Sequence, residues 1–470
     1  MNRIYLNIIY ACLMTTLFIG CKPHYPEVEY EGDPSKVVFD NIESDVAIQV
    51  AINDPLYESY TRGIGAFDQR PGLDSWRDSA AIYVYAFYSP NNIAGPDDYN
   101  YSERMSAYNE EKVYCLVDDA NNLNIGHGKR ARLSTDGTSF LQWYDNDMVY
   151  YSRKYPQYRY DFFAYHIDDA ADMSKKPDRR RDHVVYDICI DGTQDLMCAC
   201  AKPTQKQQAA LTSIADKYIY NNLGKLAYST ETGHHDLFPI FDMKHQLALV
   251  KFFVKADCVT EGDGTKVVNP EVKNIRVRNV IINDIPYQGK FIVAAHDAAR
   301  LGVSFTSSET TDLYIPVKVK TDADGKVVTD AQGRRITVSR EEKGKMVAGD
   351  ADGFNPVDAD GRRLSGIVPE VEEKEMGMGF LLPASDSYKL SVECVHLVDD
   401  GNGNQIERIY KDSEYDLVLP DGNTFKAGYK YEVGITVYPQ GKIGLSIGDV
   451  SWIVGGDISV DGEEGDNNEW

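Results

Sequence analysis

Along most of the chain apolar positions come in short runs, bounded by Gly, Asn, Asp or Pro. VVFDNIESDVAIQVAI (37–52) alternates apolar and polar at period two in its second half. AAIYVYAFYS (80–89), YDFFAYHI (160–167) and HVVYDICI (183–190) are continuous aromatic and β-branched runs. LALVKFFVKA (247–256), NIRVRNVIIN (274–283), GKFIVAA (289–295), YKLSVECVHLV (388–398), YKYEVGITVY (429–438) and KIGLSIGDVSW (442–452) follow. Each predicts a strand. Alternation suits antiparallel sheets, in which one face packs and the other meets water. Helical spacing is clearest in QKQQAALTSIADKYIYNNLGK (205–225), with Gly224 near its end. No fixed-period repeat is visible. Two halves of similar strand density predict an all-β chain of two Greek-key β-sandwich domains in series, 37–232 and 233–470, divided near Gly233.

The stretch 317–338 reads as short strands joined by Asp-Gly and Gln-Gly turns. DADG occurs at Asp322, Asp350 and Asp358. A calcium loop needs a residue between its second acidic position and the next, and a glycine only after the third. Here glycine follows the second aspartate directly, so these are turns.

The first 20 residues break the β pattern. Arg3 supplies a positive start, and residues 4–20 are mostly apolar and too short for a confident membrane span, so they read as a secretory signal peptide. Gly20-Cys21 resembles the lipobox of bacterial lipoproteins, with Phe18 where Leu is usual three positions before the cysteine. That resemblance implies cleavage before Cys21 and lipidation of it, with palmitate-type acyl chains holding the chain on the outer membrane. Several chains anchor where one does not. Residues 21–36 are acidic and Pro-containing, and read as a tether.

Composition narrows the partners. Lys plus Arg number 49 against 73 Asp plus Glu, a net charge of −24. Such a surface repels phosphate backbones and excludes nucleic acid. The 32 Tyr favour β-structure. Six cysteines follow Cys21: Cys115, Cys189, Cys198, Cys200, Cys258 and Cys394. An even count permits disulfides, which a large domain does not need. Cys198 and Cys200 fall on one face of a strand, a poor geometry for bonding each other. With no second pair at finger-like spacing they predict no zinc site.

No catalytic constellation emerges. The histidines form neither H-E-x-x-H nor H-x-x-x-H, and His234-His235-Asp236 is the one cluster. Adjacent residues of an extended chain point to opposite faces, so that cluster is a weak metal pair. A nucleophile elbow, a P-loop and a dinucleotide fingerprint are all absent from the sequence. The expectation is a non-enzyme with no cofactor and no metal.

Five phrases carry a family resemblance. They are SWRDSAAIYVYAFYSP with Trp76, Val84, Tyr85, Ala86 and Phe87; YRYDFFAYHID with Tyr160, Phe163, Ala164 and Tyr165; DGTQDLMCA with Gly192, Gln194, Asp195, Leu196 and Met197; PIFDMKHQLALVKFFV with His245, Leu247, Ala248 and Val250; and FKAGYKYEVGITVY, then GDVSW, with Phe425, Ala427, Gly428, Tyr429, Tyr431 and Trp452. In this order, behind a lipobox, they resemble the fimbrillins, the lipoprotein-derived pilus subunits of Bacteroidales. As residues they read as core and turn rather than as a binding surface.

The resemblance implies two transthyretin-like domains and assembly by strand exchange on the cell surface. An Arg-specific protease removes an N-terminal strand, and the vacated groove accepts a strand from another subunit by β-augmentation. Residues 37–56 are the candidate removable strand. Thr61-Arg62-Gly63 matches the family's cleavage neighbourhood, so maturation is expected between Arg62 and Gly63; Pro71 blocks the rival Arg70. The extra loops between 300 and 380, and the short acidic stretch after Val460, favour a tip or accessory subunit of a fimbrium over a main stalk subunit. The alternative is a monomeric outer-membrane lipoprotein that binds a glycan or a host protein through its loops.

Overall fold

The computed structural model describes residues 46–52, 81–89, 100–102, 115–118, 126–133, 140–145, 148–151, 159–168, 170–207, 209, 228–234, 236–305, 308–315, 367–402, 405–411 and 414–451. The signal peptide, the tether, the turns at Asp322, Asp350 and Asp358, Trp76 and Trp452 lie outside them. So does most of the predicted helix, of which 205–207 and 209 are helical.

The chain is all-β. In the first half, β2 (Ile82–Tyr88) and β6 (Tyr160–His166) form the centre of a seven-stranded sheet. β9 (Met197–Cys200) and β11 (Lys244–His245) extend it past β6. β4 (Lys129–Leu133) and β5 (Leu141–Trp143) extend it past β2, with β3 (Cys115–Val117) also on β2. Both faces of the central strands are covered. Ile82, Val84, Ala86 and Phe162 point into one core, and Tyr85, Phe87, Phe163 and Tyr165 into another. That is why β2 and β6 are unbroken apolar runs rather than alternating ones.

The layer over the second core is a four-stranded sheet of β7 (Asp178–Arg179), β8 (His183–Cys189), β16 (Gln288–Ala295) and β17 (Gly302–Phe305). β16 and β17 follow Gly233 in sequence, yet β16 pairs with β8 from Gln288↔Cys189 to Ala295↔His183. The chain reaches this layer directly from β15 (Ile275–Pro286), which belongs to the second sandwich. A register shift between Ile282 and Ile285, with Asp284 at φ 58°, bends the strand where it leaves.

The second half packs two sheets face to face. One runs β19 (Lys374–Leu382), β12 (Ala248–Ala256), β23 (Tyr429–Val437), β24 (Ile443–Ser451). The other runs β18 (Thr310–Tyr314), β15, β20 (Ser387–Asp399), β21 (Gln405–Lys411), with β22 (Tyr415–Val418) also on β20. Their inner faces interdigitate through Val250, Phe252, Val280, Phe380, Val392 and Val433. Gly428, at φ 78°, makes the turn that starts β23, a backbone conformation glycine adopts without strain.

The phrase DGTQDL joins the halves. The Leu381 amide donates to the Gly192 carbonyl at 2.8 Å, and the Gln246 amide to Leu196 at 2.8 Å. A Cβ on Gly192 would come within 3.2 Å of Phe380 and 3.3 Å of Leu313, so the second sandwich sits directly on this glycine. The six cysteines after Cys21 are free thiols.

Candidate functional site

Of the predicted removable strand, residues 46–52 are described. Ile48, Val50 and Ile52 are buried and Gln49 is exposed, as period two expects, whereas Ala51 on the other parity is buried as well. The inward set joins the core that also holds Ile82, Val84, Phe162 and Trp143.

The segment lies between two rims. On one side the Ile48 amide donates to Val149 at 2.8 Å, the Leu141 amide to Val50 at 2.9 Å, and the Tyr151 amide to Val46 at 3.0 Å. On the other, the Ala51 amide donates to Pro239 at 2.9 Å. There β1 (Ala51–Ile52) pairs in parallel with β10 (Ile240–Phe241). The approach is close: a Cβ on Gly233 would meet Val46 Cγ1 at 2.6 Å. Beside the segment a cavity of about 300 Å³ is lined by Ile48, Gln49, Phe140, Leu141, Gln142, Trp143 and Met148. Tyr144, Met148 and Tyr150 stand exposed on the adjoining stretch.

The energies of this arrangement nearly balance. Burying three side chains of Val or Ile size stabilises by about 5–9 kcal/mol. Four backbone hydrogen bonds add roughly 2–6 kcal/mol net. Ordering seven residues costs about 7–14 kcal/mol. The segment fills a deep slot, yet its net hold is small once it is no longer tethered to the rest of the chain.

Arg62, Gly63 and Cys21 lie outside the described residues. Most described residues of the phrases that carry the resemblance lie in the cores and the seam, but Ala427 and Tyr429 are exposed. Sequence reading missed that Asp195 and His245, in two different phrases, meet: His245 Nδ1 is 2.7 Å from Asp195 Oδ1. It also missed the cluster of Arg130 and Arg132 on Tyr144. Neither has a local sequence signal. Among the described residues no group of three His, Cys, Asp or Glu is placed to hold a metal ion.

No protein-family model and no curated protein matches this chain. Solved structures do. A protein assigned to cell adhesion from Bacteroides uniformis matches at 14% identity over 87% of this chain and 99% of that one, with a TM-score of 0.38. Another from Bacteroides eggerthii matches at 8% identity over 87% and 96%, with a TM-score of 0.34. The fimbrial anchor protein Mfa2 from Porphyromonas gingivalis matches at 11% identity over 88% and 99%, with a TM-score of 0.30. At these scores the likeness fixes neither the family nor the activity.

Proposed function

We propose that the chain is a fimbrillin-like pilus subunit that assembles by donor-strand exchange and supports adhesion at the cell surface. One observation carries this reading. Residues 46–52 fill a slot between two rims with alternate apolar side chains and backbone hydrogen bonds, as an exchangeable strand must. An incoming strand of the same alternation would restore each of those contacts. The near-balance of burial against ordering means that cleavage behind the segment, at Arg62-Gly63, frees it to be replaced.

Delivery follows from the leader. Lipidation of Cys21 carries the precursor to the outer membrane, and cleavage after Arg62 separates the subunit from its anchor. The choice of a tip or accessory subunit over a main stalk subunit rests on the sequence alone.

The test is assembly in solution. The full chain is treated with an Arg-specific protease, alone and with a synthetic peptide spanning 46–52, and its size is followed by light scattering. The reading expects cleaved chain to form oligomers, excess peptide to suppress them, and Arg62→Ala chain to stay monomeric. Cleaved chain that remains monomeric and takes up no peptide overturns it, and leaves a monomeric binding lipoprotein.

A further inference from the structure

Arg130 and Arg132 stand two residues apart on β4 and so project from one face of the sheet. Across the ladder, Arg132 pairs with Gln142, and the Tyr144 amide donates to the Arg130 carbonyl at 3.0 Å. Ala131 and Trp143 take the opposite face and lie in the core. The arginines, Gln142 and Tyr144 form a platform on the face opposite Ala131 and Trp143, with β5 the end strand of the sheet.

On it, Tyr144 is 50% exposed. The guanidinium carbon of Arg130 sits 4.1 Å from the ring centroid, and that of Arg132 sits 5.9 Å away. In a chain of net charge −24, carboxylates are plentiful. Lys129 takes one, binding Asp145 at 2.8 Å on the opposite face, and Arg179 binds Asp118, whereas buried Arg276 donates instead to the Lys273 and Ile275 carbonyls. Among the described residues none pairs with Arg130 or Arg132, and the Nε of each is buried without a hydrogen-bond partner. Two adjacent cations with no carboxylate partner among the described residues make a local well of positive potential.

We infer that this platform binds a carboxylate-bearing sugar of an acidic polysaccharide. A guanidinium stacked on an aromatic ring keeps its in-plane N–H groups directed outward, in the fork geometry that a carboxylate accepts. The exposed ring of Tyr144 offers an apolar face with a polar tip, which suits the C–H face of a pyranose. Cations and an aromatic face lie within one sugar's span.

The probe is polygalacturonate, with neutral dextran and poly-glutamate as controls, measured against the uncleaved full chain by biolayer interferometry. The chain is expected to bind polygalacturonate and neither control. Arg130→Gln with Arg132→Gln should weaken binding by about tenfold or more, the loss of charge-assisted hydrogen bonds. Tyr144→Ala should weaken it as well, and thermal melting should confirm that each variant is folded. No binding to polygalacturonate overturns the proposal. So does binding that the arginine variant leaves intact. Equal binding to poly-glutamate overturns the sugar class, because the platform would then be a general anion site.

Discussion

His245 Nδ1 lies 2.7 Å from Asp195 Oδ1, and neither side chain has any solvent exposure. Asp195 belongs to the loop that meets the second sandwich, and His245 to β11 just before the chain enters β12. The pair thus pins the seam between the halves. Removing one partner of a buried pair leaves the other uncompensated, at a cost of about 3–5 kcal/mol. Asp195→Ala is expected to lower the denaturation midpoint accordingly. A change below about 1 kcal/mol would mean that the seam does not need the pair.

The same seam predicts the effect of a methyl group. Gly192 has φ 90° and faces Phe380 and Leu313. Gly192→Ala combines backbone strain with crowding and should destabilise by about 1–3 kcal/mol, read by urea unfolding. Gly264 also has positive φ, at 89°, but nothing within 4 Å of its Cβ position. Gly264→Ala should therefore cost less, and an equal loss in both would refute crowding at the seam.

Between the central sheet and its covering layer, the Tyr186 hydroxyl is 2.6 Å from His127 Nδ1 and 2.6 Å from the Tyr165 hydroxyl. His127 Nε2 donates to the Met173 carbonyl at 2.8 Å. Tyr186→Phe removes one oxygen that serves two buried partners. The expected loss is about 1–3 kcal/mol, larger than for a surface tyrosine. Calorimetry on Tyr186→Phe beside an exposed control, Tyr438→Phe, decides it.

Burial pushes the Cys198 thiol up to about 12, with Cys200 beside it adding in the same direction. An unfolded thiol ionises near 8.5. Above that pH the unfolded chain releases a proton that the folded chain keeps, so stability falls as pH rises from about 8.5 towards 12. The slope from one such thiol is about 1.4 kcal/mol per pH unit at most. Cys198→Ala should show a shallower loss between pH 8.5 and 10 in denaturant titrations. Identical slopes would show that Cys198 does not contribute.

Much of the fold is legible in the sequence, because strands are signalled locally. The runs at 80–89, 160–167, 247–256 and 429–438 become β2, β6, β12 and β23 nearly to the residue. What period-two reasoning does not give is the layering. The continuous run at 80–89 signals a strand without saying that Tyr85 and Phe87 are covered by β8 and β16, which lie far downstream in sequence. The slot around 46–52 is half legible: alternation marks the strand, but its rims at 140–151 and 239–241 are set by pairing across the whole first half. Asp195 with His245 is invisible for the same reason, being 50 positions apart.

Within the slot, Ile48 is 1% exposed and lines the adjoining cavity. Ile48→Ala should destabilise the uncleaved chain by about 2–4 kcal/mol. It should also speed release of the segment after cleavage, followed by mass spectrometry of the freed peptide. Unchanged release would mean that the burial of Ile48 does not retain the strand.

The central claim is that the strand beside the anchor is removed to open the slot. Mass spectrometry of the N-terminus of the surface-exposed protein tests it most directly, with a Cys21→Ala chain alongside. The account predicts a mature start at Gly63, and loss of surface delivery in the variant. An acylated Cys21 as the sole N-terminus, with residues 46–52 still attached, would contradict it.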